Sequence, residues 1–538
     1  MTTSRRARLG LAGLSAIALT TLAGAGSANA AGPDWGFTPL TNPALKCWDD
    51  STGTPNTALP INIGDPIFAS ALTPTKLMSA GDAATKVSDN SVTTIGREND
   101  MIALSPDGQF LYTPSENATP SDGISRYTLT GPNIGKKEIL TTGPAPGTLL
   151  APAWSRMDGM IWYTPSNVIL GSEEYSPGAN TVNTQARGGG IWQVNPTTGV
   201  YVRLDWLGAM AHEGVAWQGG ALWFGDENRT GAIFKAVPNN PADLTLGGTL
   251  AYMVGSGIDA TGFKLVANPD NAVTEAISGG AILFDRPEDF DQRNGRVYFT
   301  VTEPQGEADT HIGTFGGVGA ATNQVVNRGG VYSVNATGFP DLATQSGVTG
   351  PYTKITPMIE VQDPIYPNVA AARSQQGLQF PDNLAFDGRG HLWVHEDIPD
   401  SSSPFTFPAT GFDVSKETRN QQDELYVYEL NAAGDAIIPV VSSPSLGVKA
   451  SDMQSSDATT TAKVCQNEFT GGVFGADGLT LYINQQHNQN PTFRVDGLVN
   501  PLGTQVPESP IVPIIGISGA VVLAGGLVLM QRRRSVVR

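Results

Sequence analysis

Six stretches of this 538-residue chain share one grammar, and that repeat limits the possible folds more than any other feature of the sequence. In each, a polar or acidic residue opens an apolar strand and a Gly-containing turn follows. A second strand carrying Tyr, Phe or Trp then ends in polar or acidic residues. The first runs from Glu98-Asn99-Asp100 through Pro106-Asp107-Gly108 to Phe110-Leu111-Tyr112 and Glu116. The second places a strand over Leu149–Trp154, a turn at Asp158-Gly159 and a strand over Met160–Tyr163. The third is His212-Glu213-Gly214 to Trp217, Gly219-Gly220, then Leu222-Trp223-Phe224. The fourth is Arg286-Pro287-Glu288-Asp289-Phe290, Asn294-Gly295, then Val297-Tyr298-Phe299. The fifth is Pro381–Phe386, Gly388 to Gly390, then Leu392-Trp393-Val394, and the sixth is Glu468–Phe474, Asp477-Gly478, then Leu479–Ile483. Each reads as a β-hairpin. A lone hairpin buries too little surface to stand by itself, so the units must pack on one another.

The region between the chain ends allows about 80 residues per unit, room for a four-stranded blade with long loops. Gly190–Val194, Gly330–Val334 and Asp423–Tyr428 supply further strands. The fold class this predicts is all-β, a six-bladed β-propeller, in preference to a β-sandwich or two unrelated β domains. Composition agrees: 63 Gly, 38 Pro and only 15% charged residues exclude a helical bundle or coiled coil. Net charge is −18, which argues against a nucleic-acid partner.

The ends read as addresses. Arg5, Arg6 and Arg8 precede an uncharged run and an Ala28-Asn29-Ala30 cleavage site, so residues 1–30 are expected to be an export signal peptide. Residues 31–89 lead into a propeller over 90–495, and 496–510 form a linker. Residues 511–530 are an uncharged apolar span, followed by a basic tail over 531–538 that would stay cytoplasmic. With Val506-Pro507-Glu508-Ser509-Pro510 before it, this end resembles a bacterial sorting tail, and a permanent single-pass anchor fits equally. The expected location is the cell surface, membrane-anchored or attached to the cell wall, as a monomer. Three Arg lie in 1–30 and four in 511–538, with no acids in either, so the middle holds 25 basic against 50 acidic residues. Outside the cytoplasm Cys47 and Cys465 are expected to pair, tying the start of the ring to its finish; two separate buried thiols are the alternative.

Glu98, Glu213, Glu288, Asp382 and Glu468 all lie at or just before the first strand of their hairpin. In a propeller those starts approach the central channel, where crowded carboxylates repel unless cations neutralise them. Hard oxygen ligands select Ca²⁺, Mg²⁺ or Fe³⁺. Turn-capping acids are the bland alternative. Arg286 is the basic residue within this acidic set, suited to a phosphate or carboxylate or else to a structural ion pair. The five His form no zinc motif, and no Walker loop or G-x-S-x-G elbow occurs.

Taken together, Arg286-Pro287-Glu288-Asp289, Pro381–Asp387 with Leu392-Trp393, His212-Glu213-Gly214 and Glu468–Gly471 through Gln486-His487 resemble the PhoX-type alkaline phosphatase family. Ile169–Tyr175 resembles its acidic-pair segment and Glu98-Asn99-Asp100 its early Asn/Asp motif. The resemblance implies a six-bladed propeller with calcium and iron on its axis and hydrolysis of phosphate monoesters outside the cytoplasmic membrane. It implies metal-ligand roles for Glu173, Glu174, Glu213, Glu288, Asp382 and Glu468, and a phosphoryl-binding role for Arg286. The family's iron-ligating Cys is here Ser172, and a hydroxyl is a poor substitute for a thiolate on iron. Fe³⁺ is therefore less expected than Ca²⁺. The alternatives are a non-catalytic calcium-binding propeller of the cell envelope and a calcium-dependent hydrolase of another class, such as a lactonase.

Overall fold

A computed structural model describes residues 72–116, 122–144, 154, 156–174, 189–228, 231–256, 259–284, 286–302, 330–336, 356–360, 381–396, 424–430, 468–486 and 491–498. It also describes short strand pieces at 48–49, 54–55, 67–68, 325–326, 353–354, 437–439 and 448–449. The signal peptide over 1–30, the span over 511–530, Cys47, Cys465 and His487 lie outside the described residues. Among the described residues, no helix is long and apolar enough to cross a membrane.

The arrangement is all-β and propeller-like. Apart from a two-stranded piece, the strands form six larger sheets. The second is Met157–Tyr163, Val168–Glu173, Ile191–Val194 and Tyr201–Arg203 in that order. The third begins Val215–Gln218, Ala221–Gly225, Gly231–Pro238 and Gly248–Ser256, and is extended by Asp259–Leu265. The fourth is Pro287–Arg293, Arg296–Val301, Gly330–Asn335 and Thr356–Glu360. The fifth starts Pro381–Phe386, Leu392–Glu396 and Glu424–Leu430, and the sixth Glu468–Phe474, Leu481–Gln486 and Thr492–Asp496. The outer strand of the sixth comes from the other end of the chain: Thr73–Met78 pairs antiparallel with Thr492–Asp496.

These five sheets share one up-and-down plan. The first sheet departs from it. Its leading strand is only Ala103–Leu104, and Lys137–Thr141 carries Ala83–Lys86 in parallel on its outer side. Five regular blades therefore stand where six were expected, because residues 83–94 add an extra edge to the first unit.

The hairpin turns fell where the sequence put them in most units. Asn294 and Gly295 take φ of 51° and 80°, and Gly219 and Gly220 take 63° and 79°, the left-handed pairs that tight hairpins need. The second unit is a correction. Asp158-Gly159 is not a turn; it lies inside the first strand, whose partner is Val168–Glu173. The Asp-Gly pair suggests a turn locally, but the backbone of Glu213 packs too closely for a bend there. A Cβ on Gly159 would lie 1.7 Å from the Glu213 carbonyl oxygen. Between sheets, aromatic and aliphatic side chains fill the core, among them the fully buried Trp154, Trp223, Trp393, Phe224 and Phe299.

Candidate functional site

From the first sheet to the sixth, the first strand of one lies against the first strand of the next, so these strands form the inner wall. In four sheets the pairing slips at the same place: between Met157 and Met160, Pro287 and Phe290, Pro381 and Leu384, and Thr470 and Val473. A bulge bends its strand and re-aims the side chains it carries. The residues so displaced are Asp158-Gly159, Glu288-Asp289, Asp382-Asn383 and Gly471-Gly472. In the third sheet Glu213-Gly214 stands at the matching point, directly before Val215.

Three of the expected ligands meet here. Carboxylate oxygens of Glu213, Glu288 and Asp382 lie within 4.8 Å of one another, and all three residues are buried. Asp100, Glu116 and Asp158 bring carboxylate oxygens equally close, with Asp100 and Asp158 buried and Glu116 half-buried. Oε2 of Glu213 and Oδ1 of Asp158 are buried with no hydrogen-bond partner among the described residues. Unsatisfied buried carboxylate oxygens are costly, and a hard cation is the partner that suits them. The donor set therefore fits divalent or trivalent hard ions. Burial, then the charges of Glu288 and Asp382, push the Glu213 carboxyl well above the usual range. Asp158 is raised by burial and then by Asp100 and Glu116. Glu116 is raised by burial and then by Glu174.

Arg286 sits beside the first group. Its Nε and Nη2 donate to Glu227 Oε1 at 3.0 and 2.7 Å, and Nη2 lies 3.0 Å from Glu288 Oε1. The acidic pair divides. Glu173 is bonded within its own sheet, where Oε2 accepts Trp192 Nε1 at 2.7 Å and Gly190 N at 3.1 Å. Glu174 meets Arg156, whose Nη1 donates to its two oxygens at 3.1 and 2.8 Å. Burial raises the Glu174 carboxyl, but hydrogen bonding from Glu227 and the charge of Arg156 outweigh it and hold the group low. Glu227 goes the other way, pushed up by burial and then by Glu174 and Glu288. Glu98 stays outside both acidic groups; Asp100, two residues on, takes its place. Glu468 lies three residues before the bulge of its strand.

Ser172 is fully buried, and its hydroxyl donates to the backbone carbonyl of Glu213. It ties the second sheet to the third beneath the carboxylates. Sequence reasoning missed Glu116, Asp158 and Glu227. Two of them close second strands, and the signal for those was the acidic ending shared by the repeats. His391 and His395 form no metal pair: His391 Nδ1 lies 2.8 Å from Asp387 Oδ2, while His395 is fully buried and burial lowers it to about 3.

Residues 180–489, more than half of the chain, match the family described as Alkaline phosphatase PhoX. Among solved structures, Pseudomonas fluorescens PhoX in complex with vanadate, a transition state analogue, is similar with a TM-score of 0.54 and 15% identity. That match covers 86% of this chain and 100% of that one. The PQQ domain of pyranose dehydrogenase from Coprinopsis cinerea is more distant, with a TM-score of 0.37, 10% identity and coverage of 82% and 99%. No curated protein sequence matches.

Proposed function

The chain belongs to the PhoX family of alkaline phosphatases, and on that premise we propose that it is an exported, surface-attached, metal-dependent phosphoesterase. The supporting observation is the convergence of Glu213, Glu288 and Asp382, from three different sheets, within 4.8 Å beside a guanidinium. We take the six larger sheets as one ring of six blades, with calcium as the resident ion. Glu213, Glu288 and Asp382 would hold it, with Asp100, Glu116 and Asp158 as a second cradle, and Glu174 and Glu468 nearby. Bound cations would supply Lewis-acid polarisation of the phosphoryl group.

The chain's own residues do the rest. Arg286 orients the phosphoryl oxygens through its planar fork and stabilises the negative charge that grows during transfer. Its ion pairs with Glu227 and Glu288 pre-set that orientation. Glu227 accepts from Arg286 and is hydrogen-bonded to Glu174, so it holds the guanidinium in place between the carboxyl groups. The burial of the carboxylates keeps bulk water from screening these charges. We assign residues 1–30 to export and 511–530 to a single membrane span or a sorting signal.

The test is hydrolysis of p-nitrophenyl phosphate by purified protein loaded with Ca²⁺, with and without iron. Turnover that depends on the cation supports the reading; folded, cation-loaded protein without turnover refutes it. Ser172 favours a second reading, a calcium-stabilised propeller without catalysis, because its hydroxyl is committed to the Glu213 backbone. Calcium that raises the melting temperature, with no hydrolysis of phosphate esters or of a lactone panel, would select it. Hydrolysis of lactones alone would select a calcium-dependent hydrolase of another class.

A further inference from the structure

Three residues with ordinary side chains hold left-handed backbone at matching points of their units: Glu98 (φ 53°), Arg156 (φ 47°) and Arg286 (φ 54°). Arg156 directly precedes the first strand of the second sheet, as Arg286 precedes that of the fourth. In each case the carbonyl takes an N–H from the end of the second strand. Glu116 N reaches Glu98 O at 2.7 Å, Glu174 N reaches Arg156 O at 2.9 Å and Thr302 N reaches Arg286 O at 3.1 Å. A left-handed conformation costs a side-chain-bearing residue about 1–2 kcal/mol. Its recurrence makes Arg156 the structural counterpart of Arg286.

The electrostatics repeat as well. Arg286 bridges Glu227 and Glu288. Arg156 bridges Glu174 and Glu116, at 2.8 and 3.6 Å. Glu174 and Glu227, the inner members of the two bridges, are hydrogen-bonded to each other. The two guanidiniums therefore flank one carboxyl pair. They differ in access: the Arg156 side chain is 48% exposed and that of Arg286 27%. Both hydrogen bonds of Arg156 to Glu174 leave from Nη1 alone, which leaves the other edge of the fork for another acceptor.

We propose that Arg156 is a second anion-recognition residue, and that the substrates are phosphate monoesters whose leaving portion carries a second negative group, a carboxylate or another phosphate. This rests on the phosphatase reading. Arg286 takes the transferred phosphoryl group, and Arg156, across the Glu174–Glu227 pair and nearer to solvent, takes the second anion. A guanidinium suits both anions because its planar fork meets two oxygens at once. Arg156 acts on substrate selection, so its removal must change discrimination between esters rather than only the general rate.

The experiment compares phenyl phosphate, 4-carboxyphenyl phosphate and 1,4-phenylene bisphosphate on the cation-loaded full chain. The wild type is expected to favour the two esters that carry a second anionic group, chiefly through a lower KM. In Arg156→Ala the ratio of kcat/KM for each of them to that for phenyl phosphate should fall about tenfold, the effect of losing one charge-assisted hydrogen bond. Arg156→Lys should restore part of that ratio, and it serves if the Ala variant does not fold. Calorimetric binding of phenylphosphonate and 4-carboxyphenylphosphonate reads the same preference without turnover. If no ester is hydrolysed but the carboxylated phosphonate binds more tightly in an Arg156-dependent way, the phosphatase reading and the substrate assignment fail while the anion-recognition role of Arg156 stands. Equal binding of the two phosphonates by the wild type overturns it. So does an Arg156→Ala loss that is the same for all three esters, which would mark Arg156 as a structural counter-ion to Glu116 and Glu174.

Discussion

Stripping divalent cations from this protein should make its melting temperature fall as pH rises. Glu213, Glu288 and Asp382 place carboxylate oxygens within 4.8 Å of one another. At that separation each pair of full charges repels by about 3.5 kcal/mol at an effective dielectric constant near 20, or about 10 kcal/mol for three pairs. That rivals the 5–15 kcal/mol that typically holds a whole domain together, so without cations the group must keep protons. The sign follows from linkage. Glu213, Glu116, Asp158 and Glu227 are raised above their unfolded values, by burial first and neighbouring acids second. Asp226 and Asp289 are pushed up to about 7, mainly by burial. Each such acid binds its proton more tightly when folded, so its favourable contribution is full below about pH 4 and drains away as pH climbs toward the folded value. The assay is thermal unfolding between pH 5 and 8 in EDTA and in excess Ca²⁺. In EDTA the midpoint should fall across the range. Calcium at 100 times its dissociation constant adds about 2.7 kcal/mol, worth a few degrees for a chain of this size, and should flatten the slope. A midpoint in EDTA that holds level or rises with pH, or one that calcium does not move, would refute the reasoning.

Further outcomes are expected. Arg286→Ala should remove phosphatase turnover by at least about a hundredfold while leaving calcium-induced stabilisation in place; wild-type rates would take away its assigned role. Glu213→Gln should abolish calcium-dependent stabilisation yet raise the cation-free melting temperature at pH 8, since one member of a repelling trio is neutralised. Gly159→Ala should destabilise the fold by at least about 3 kcal/mol in denaturant titration, because its Cβ would collide with the Glu213 carbonyl, which is backbone and cannot step aside. Deleting residues 73–78 should prevent cooperative unfolding, because Thr492–Asp496 loses its edge partner. A sharp two-state transition in that deletion would show that closure by this strand is dispensable.

Much of this was written locally in the sequence. Asn294-Gly295 and Gly219-Gly220 specify tight hairpins through backbone that other residues resist, so those units were readable without knowing their neighbours. The alignment of Gly190–Val194 with Gly330–Val334 was readable too: they became third strands of the second and fourth sheets. Asp158-Gly159 was misread because the same dipeptide serves a turn and a bulge. The choice between them was made by the backbone of Glu213, 54 positions away, and distance along the chain hides such a neighbour. Convergence of Glu213, Glu288 and Asp382 could be inferred from their shared phase in the repeat. Glu116 and Glu227 left a fainter signal, the acidic ending of their units, since they lie just past the ends of second strands rather than at the shared phase of the first.

The cross-sheet bonds that Ser172 exemplifies carry a wider consequence. Ser172 donates to the carbonyl of Glu213, Thr300 to that of Asp382, and Asn484 to that of Asp100. Each acid is thus steadied by the unit before it, and the last of these links runs from near the end of the chain back to its beginning. The links to Glu213 and Asp382 close within residues 172–382, whereas Asp100 waits for Asn484, so a chain still emerging settles the first two acids before it can settle the third.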